Sequence, residues 1–306
     1  MRIDEIISAS SEPVFSFEFF PPKSDEGERN LRAALEALQP MQPDFASVTY
    51  GAGGSTRDRT LEIVTWLNQE LGIEALAHLT CVGASREELR GILDQTVAAG
   101  IENVLALRGD PPRGQTQWTP HPDGFHYSTE LVALIADAYP RVSIGAACFP
   151  EVHPQALDMA SDVRFLRAKV DAGASFLITQ LFFDNELYFR FVDEARAAGI
   201  EVPILPGIMP ITNVAQIKTI TGLCGATIPP ELLEQLEARA DDPDAVLELG
   251  VSYATLQCAE LLARGARGIH FCTLNRSAAT RAILSALRLL RPWASRLAVQ
   301  PGAAAA

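Results

Sequence analysis

Apolar runs of strand length alternate with amphipathic runs of helix length along the chain, and the alternation repeats eight times without breaking order. The strand-length runs are 14–20 (VFSFEFF), 44–50 (DFASVTY), 74–81 (EALAHLTC), 102–108 (ENVLALR), 142–149 (VSIGAACF), 176–183 (FLITQLFF), 202–208 (VPILPGI) and 268–274 (GIHFCTL). Most are nearly continuous hydrophobic runs, as parallel strands covered on both faces require. Between them lie helical stretches such as GERNLRAALEAL, SREELRGILDQTVAAG and NELYFRFVDEARAAG, several ending at a glycine (Gly100, Gly173, Gly199) suited to a left-handed C-terminal cap. The pattern predicts the α/β class and a closed (β/α)8 TIM barrel, a single catalytic domain over residues 1–292 followed by a tail over 293–306. An open doubly wound sheet shares the pattern and is the alternative. The 229–265 region adds helices before the last strand.

Composition narrows the class. Of 306 residues 48% are hydrophobic and 21% charged, and no apolar run approaches the roughly eighteen residues of a membrane span, so no membrane segment is expected. The start MRIDEIISASSEP lacks the basic and continuously apolar regions of a secretory signal, which predicts a cytoplasmic protein. A formal charge of −13 argues against nucleic acid or an anionic bilayer as partner, since both bind through clustered Lys and Arg. Five widely spaced cysteines without a CxxC pair fit neither a disulfide framework nor a thiolate zinc site, so they read as small buried residues and no metal is expected.

In a barrel, functional side chains gather where strands end and loops begin. Those ends hold Glu18 with FFPPK, Thr49 with YGAGGS, His78, RGDPP at Arg108 to Pro112, FPEVHP at Phe149 to Pro154, Gln180, PGIMP at Pro206 to Pro210, and TLNR at Thr273 to Arg276. Glu18 stands out: an ionised carboxylate among Phe15, Phe17, Phe19 and Phe20 costs several kcal/mol unless it is paired, hydrogen-bonded or protonated. Pairing with a rim Lys or Arg would hold the barrel mouth together without catalysis. His78 also reads as a satisfied core histidine, and Arg108 with Asp110 as an ordinary Gly-Asp-Pro turn. Gln180 is harder to set aside, because a buried amide needs partners for its carbonyl and its NH2. HExxH, GxxxxGK[ST] and GxSxG are all missing, which leaves zinc-protease, P-loop and nucleophile-elbow chemistry without a signature.

Taken together, FEFFPPK, VTYGAGGS, LALRGDPP, FPEVHP, ITQLFFD, PGIMPI and HFCTLNR resemble, in order, the motifs of the methylenetetrahydrofolate reductases over about residues 13–290. The resemblance implies noncovalent FAD, NADH or NADPH as electron donor, and reduction of 5,10-methylenetetrahydrofolate to 5-methyltetrahydrofolate for methionine synthesis, with ping-pong kinetics. It implies Glu18 as the general acid toward N10 of the folate, its pKa raised by an apolar wall of phenylalanines, and Asp110 as the charge that stabilises the iminium cation. Flavin contacts carried over are Thr49, Tyr50, Ala52, His78, Arg108, Gly109, Asp110, Phe149, His153, Ala156, Asp162 and Lys169, with Tyr127 and Ser128 at the start of the helix after strand four. Asp110, Gln180, Gln216 and Arg276 are carried over as substrate contacts.

Phe149 and Cys272 stand where the family commonly has Tyr, and Ile220 where some relatives have an aromatic ring. The resemblance further implies a homo-oligomer and the short bacterial form, without the C-terminal regulatory domain and its inhibition by S-adenosylmethionine. Two other readings stay open: a barrel hydrolase using Glu18 and Asp110 as a carboxylate pair, and a non-catalytic flavin- or folate-binding barrel. Colour discriminates among them, since a flavoprotein is yellow and bleaches with its donor.

Overall fold

The computed structural model describes residues 1–50, 57–109 and 120–294. Nine parallel strands follow one another around a barrel: β1 (Val14–Phe19), β2 (Phe45–Val48), β3 (Ala75–Thr80), β4 (Asn103–Leu107), β5 (Ser143–Cys148), β6 (Phe176–Thr179), β7 (Ile204–Leu205), β8 (Gly207–Ile208) and β9 (Gly268–Cys272). β1 pairs with both β2 and β9, so the first and last strands meet. The seventh run is where the structure departs from one strand per run. Pro206 divides 202–208 into β7, which pairs with β6, and β8, which pairs with β9. A proline has no N–H for the ladder, and the short segment turns there from one neighbour to the other. With that division the architecture is the (β/α)8 TIM barrel. Strands also end earlier than the apolar runs, leaving Thr49, Tyr50, Arg108, Phe149 and Gln180 just beyond them.

The helices are α1 (Ile3–Ala9), α2 (Asp25–Leu38), α3 (Arg57–Gln69), α4 (Arg86–Ala98), α5 (Ser128–Ala138), α6 (Met159–Asp171), α7 (Asn185–Ala197), α8 (Val214–Cys224), α9 (Pro230–Glu237), α10 (Pro243–Arg264) and α11 (Ala278–Leu290). Their starts are written in the sequence. Ser24, Asp158, Asn213 and Asp242 each accept a first-turn amide, and Ser85 forms a reciprocal capping box with Glu88; each such cap is worth about 1 kcal/mol. Gly100, Gly173 and Gly199 adopt the positive φ expected of them. α9 and α10 form the helical insertion before the last strand. Among the described residues α10 is the helix long and apolar enough to cross a membrane. Here it buries Gly250, Ala254, Cys258, Leu261 and Leu262 and packs against α7 and α11.

Strand alternation sorts side chains into two cores. Phe15, Phe17, Phe19, Ala46, Val48, Ala75, Ala77, Ile269 and Phe271 face the helices and join one large cluster. Val14, Phe45, Leu76, Leu105, Phe176, Ile178 and Leu205 face the barrel axis and form a separate apolar plug with Ile3 and Ile7 of α1. The hydrophobic pattern alone does not predict α1. It closes the barrel floor, where Asn103 Oδ1 accepts Ile3 N at 2.7 Å and Ser143 Oγ accepts Asp4 N at 3.3 Å, serving first-turn amides that the helix itself cannot satisfy. Trp293, assigned to the tail from sequence, is buried against Phe15 with ring centroids 6.0 Å apart. The packed chain therefore reaches past 292; from residue 295 the expected tail lies outside the described residues.

Candidate active site

Above the apolar plug the barrel interior turns polar. Ser16 and Glu18 share the inward face of β1, Ser47 that of β2, His78 and Thr80 that of β3, and His270 and Cys272 that of β9. The register sets Glu18 opposite Ser47 on one side and Cys272 on the other, with Ser16 opposite His270. Glu18 Oε2 lies 3.6 Å from His78 Nε2 and 3.5 Å from His270 Nε2. Its partners are thus two imidazoles and a thiol rather than a rim Lys or Arg.

This geometry corrects the expected phenylalanine wall. Residues 15, 17 and 19 alternate with 18 along the strand, so their rings face the helices while the carboxyl faces the axis. Burial does push the Glu18 carboxyl up. The hydrogen bond with His270, the charges of His78 and His270, and the Cys272 thiol outweigh it and hold the carboxyl below its usual value. Burial also drives His78 down to about 4, against the pull of Glu18. The Cys272 thiol is raised well above its usual range by burial and then by Glu18, and stays protonated.

Acid sensitivity follows. His78 has an ordinary value of 6.5 and a folded value of about 4, so between those pH values the unfolded chain binds the extra proton. Its stabilisation is complete above pH 6.5 and is lost as pH falls toward 4, up to about 3 kcal/mol. The depressed carboxyl of Glu18 adds a loss of the same sign below 4.5. Thermal unfolding from pH 7 to 4 should show Tm falling throughout, and His78→Asn should flatten the slope between pH 6.5 and 4. An unaltered slope in that variant would assign the sensitivity to other groups.

The backbone around Glu18 is fixed by the loop after β9. Thr273 Oγ1 donates to Glu18 O at 2.7 Å, while Asn275 accepts from Phe20 N at 2.9 Å and donates to Phe20 O at 2.8 Å. Leu274 and Asn275 both hold positive φ, 51° and 53°. Asn tolerates that region; for Leu it is strain on the order of 1 kcal/mol or more, stored at the barrel mouth.

A second group lies where the loops after β4 and β5 meet α6. Arg108 donates to Gln155 Oε1 at 2.6 Å, His153 N donates to Asp162 Oδ2 at 2.8 Å, and His153 Nδ1 accepts Gln155 N at 3.0 Å. Ala156 N reaches His153 O at 2.8 Å, and the Phe149 and His153 rings meet edge-on at 4.6 Å. Lys169 reaches in from α6 to donate to Ala147 O at 3.0 Å. Burial lowers the Lys169 ammonium, and an anion placed beside it would offset that penalty by favouring the charged form. Gly109 joins this group to β3: at φ 92°, a Cβ there would sit 2.6 Å from Val82 Cγ1 and 2.9 Å from Thr80 Cβ, so only glycine allows the approach.

Other predicted positions are spread along the rim. Thr49 O accepts Thr60 Oγ1, and Tyr50 OH accepts Arg57 Nε at 3.0 Å. Ser128 is buried at the start of α5, beside an exposed Tyr127. Gln180 folds its Oε1 onto Leu181 N at 2.8 Å. Gln216 in the first turn of α8 and Arg276 after β9 are exposed. Ala52 and Asp110 lie outside the described residues. His270 is the site residue that sequence reasoning missed.

The donor set suits a flavin dinucleotide. Arg108 and the half-buried Lys169 offer cationic charge for a pyrophosphate. His78 Nε2 and Thr80 Oγ1, buried without a hydrogen-bond partner, are polar atoms that a ligand's ring edge would satisfy.

The family profile described as Methylenetetrahydrofolate reductase matches residues 2–288. The chain is 39% identical over 272 residues to the 5,10-methylenetetrahydrofolate reductase of Escherichia coli (strain K12), covering 89% of this chain and 90% of that one. It is 39% identical over 300 residues to Methylenetetrahydrofolate reductase (NADH) 1 of Arabidopsis thaliana, covering 94% of this chain and 51% of that one. The chain thus spans about half the length of the plant relatives it matches. Among solved structures, a Clostridium thermocellum protein that binds two copies of 5-methyl-5,6,7,8-tetrahydrofolic acid shares the fold with TM-score 0.66 at 17% identity, covering 94% of this chain and 98% of that one.

Proposed function

The chain belongs to the methylenetetrahydrofolate reductase family, and from that membership we propose that it reduces 5,10-methylenetetrahydrofolate to 5-methyltetrahydrofolate, with NADH or NADPH as donor and noncovalent FAD as carrier. The observation that carries this reading is a largely enclosed carboxyl, Glu18, facing the axis at the barrel mouth within a chain that matches the family from residue 2 to 288.

Arg108 and Lys169 would hold the pyrophosphate of the flavin, with His153 and Asp162 setting the loop between them; Thr49, Tyr50, His78, Gly109, Tyr127, Ser128, Phe149 and Ala156, with Ala52, are the further contacts proposed. FAD, when bound there, supplies the hydride carrier between donor and folate. Glu18 is proposed as the acid toward N10 of the folate: bound folate and flavin, by excluding water from the mouth, would raise its carboxyl from the depressed value of the open site so that it takes up the proton it then delivers, which opens the five-membered ring and leaves an iminium cation at N5. Asp110 is proposed as the negative charge beside that cation. Gln180 would orient the pterin, or the nicotinamide in the other half-reaction, while Gln216 and Arg276 meet the glutamate tail. Donor and folate then use one mouth in turn, which gives ping-pong kinetics.

The test is an anaerobic titration of the purified protein. A yellow sample bleached by NADH or NADPH, and restored to colour by methylenetetrahydrofolate, is the expected result. A colourless protein without affinity for FAD would overturn the reading and favour a hydrolytic use of the carboxylates.

A further inference from the structure

A buried acid that gives up its proton is left as a buried anion, and that anion needs a compensating donor nearby. The donor in this barrel stands on the closing strand. His270 is 1% exposed and held on several sides. Its ring stacks on Phe45 with centroids 6.0 Å apart and planes 18° from parallel. Nδ1 lies 2.8 Å from Ser16 Oγ; Nε2 lies 3.5 Å from both Ser47 Oγ and Glu18 Oε2. Both serines are fully buried. A Ser16 hydroxyl that donates to Nδ1 leaves the ring proton on Nε2, aimed at the carboxyl.

We propose that His270 is a positioning residue for the acid step: through Nε2–H it orients the Glu18 carboxyl and stabilises the carboxylate left when the proton departs. The inference rests on the reading of Glu18 as general acid. In that step the O–H bond of Glu18 breaks and an N–H bond forms at N10. The bond from N10 to the methylene carbon then breaks with its electron pair staying on N10, and the lone pair of N5 completes the iminium. The titratable groups facing this pair are Glu18 on β1, His78 on β3 and Cys272 on β9, while β2 contributes the uncharged Ser47 and Phe45. His78 is neutral above pH about 4, the Cys272 thiol keeps its proton and adds a weaker hydrogen bond to the carboxylate, and His270 makes the largest contribution that favours the anion.

The experiment compares His270→Leu with His270→Gln in the flavin-loaded protein, following reoxidation by methylenetetrahydrofolate across pH. Leu removes the donor; Gln restores an N–H without a titratable ring. His270→Leu should slow the folate half-reaction roughly ten- to a hundredfold, the worth of one hydrogen bond to a charged group, and shift its pH midpoint upward because the largest effect opposing burial of Glu18 is then gone. His270→Gln should recover most of the rate and the original midpoint. Wild-type rate and midpoint in His270→Leu would overturn the proposal. Nitrogen NMR of 15N-histidine-labelled wild type and Glu18→Gln provides a readout that needs neither activity nor a folded leucine variant. His270 should carry its proton on Nε2, and its resonances should move when Glu18 is replaced. An Nδ1–H ring, or resonances indifferent to Glu18, would overturn the contact. A protein that reduces no folate would overturn the reductase reading and with it the role in the acid step, while the nitrogen spectra still decide the contact.

Discussion

Glu18→Gln should abolish folate reduction while flavin reduction by the nicotinamide donor continues. Gln matches Glu in shape, and its carbonyl can still accept from His270, so the β1–β9 seam is kept. What it lacks is a proton to give at N10. Losing a positioned general acid typically costs 10²- to 10⁴-fold, here falling on one half-reaction only. Rapid-mixing measurement of each half-reaction separately reads the split. A variant that reoxidises with folate at the wild-type rate would place the acid elsewhere on the rim. One that loses both half-reactions would point to damage at the flavin site.

Order and period along the chain were enough for the barrel, because the apolar runs are bounded by turn residues and many of the helices carry their own caps. The rim was legible for a related reason: residues such as Glu18, Gln180 and Arg108 break apolar runs close to where the strands end. One reading failed where a run of letters does not say which way a side chain points. VFSFEFF reads as a wall around Glu18, yet period two sends Phe15, Phe17 and Phe19 to the helices and Ser16 and Glu18 to the axis. That signal was present in the alternation itself.

His270 is a different kind of miss. Its parity with Cys272 on β9 is visible in the sequence, but its meeting with Ser16 and Glu18 depends on the register between strands 254 residues apart, which local pattern does not contain. A lone His in GIHFCTL therefore reads as core until β1 and β9 are joined. The split of the seventh strand was available from Pro206, which cannot donate in mid-strand. Helix α1 was obscured by its length: seven residues with two buried isoleucines make little periodicity, and its stability comes from Asn103 and Ser143 on the barrel floor.

Gly250→Ala should destabilise the protein although it improves local helix propensity. Within α10 the exchange of Gly for Ala favours the helix by about 1 kcal/mol. A Cβ on Gly250, however, would stand 1.8 Å from Ile211 O and 2.8 Å from Ile211 C. The obstacle is backbone, which cannot rotate aside as a side chain would, so α10 or the segment after β8 must move by more than about 1 Å to restore ordinary contact. Overpacking of this kind costs about 3 kcal/mol or more, outweighing the propensity gain. Ile211 belongs to the PGIMPI segment and packs with Leu181, Phe183, Met209, Val214 and Ile217, so the displacement also reaches the loop that follows Gln180 and the start of α8 that carries Gln216. Thermal unfolding should show Tm lowered by at least several degrees, about 2–4 °C for each kcal/mol in a domain of this scale, and KM for folate should rise. A Tm equal to or above wild type would mean that propensity governs this position and that α10 does not brace the barrel mouth through Gly250.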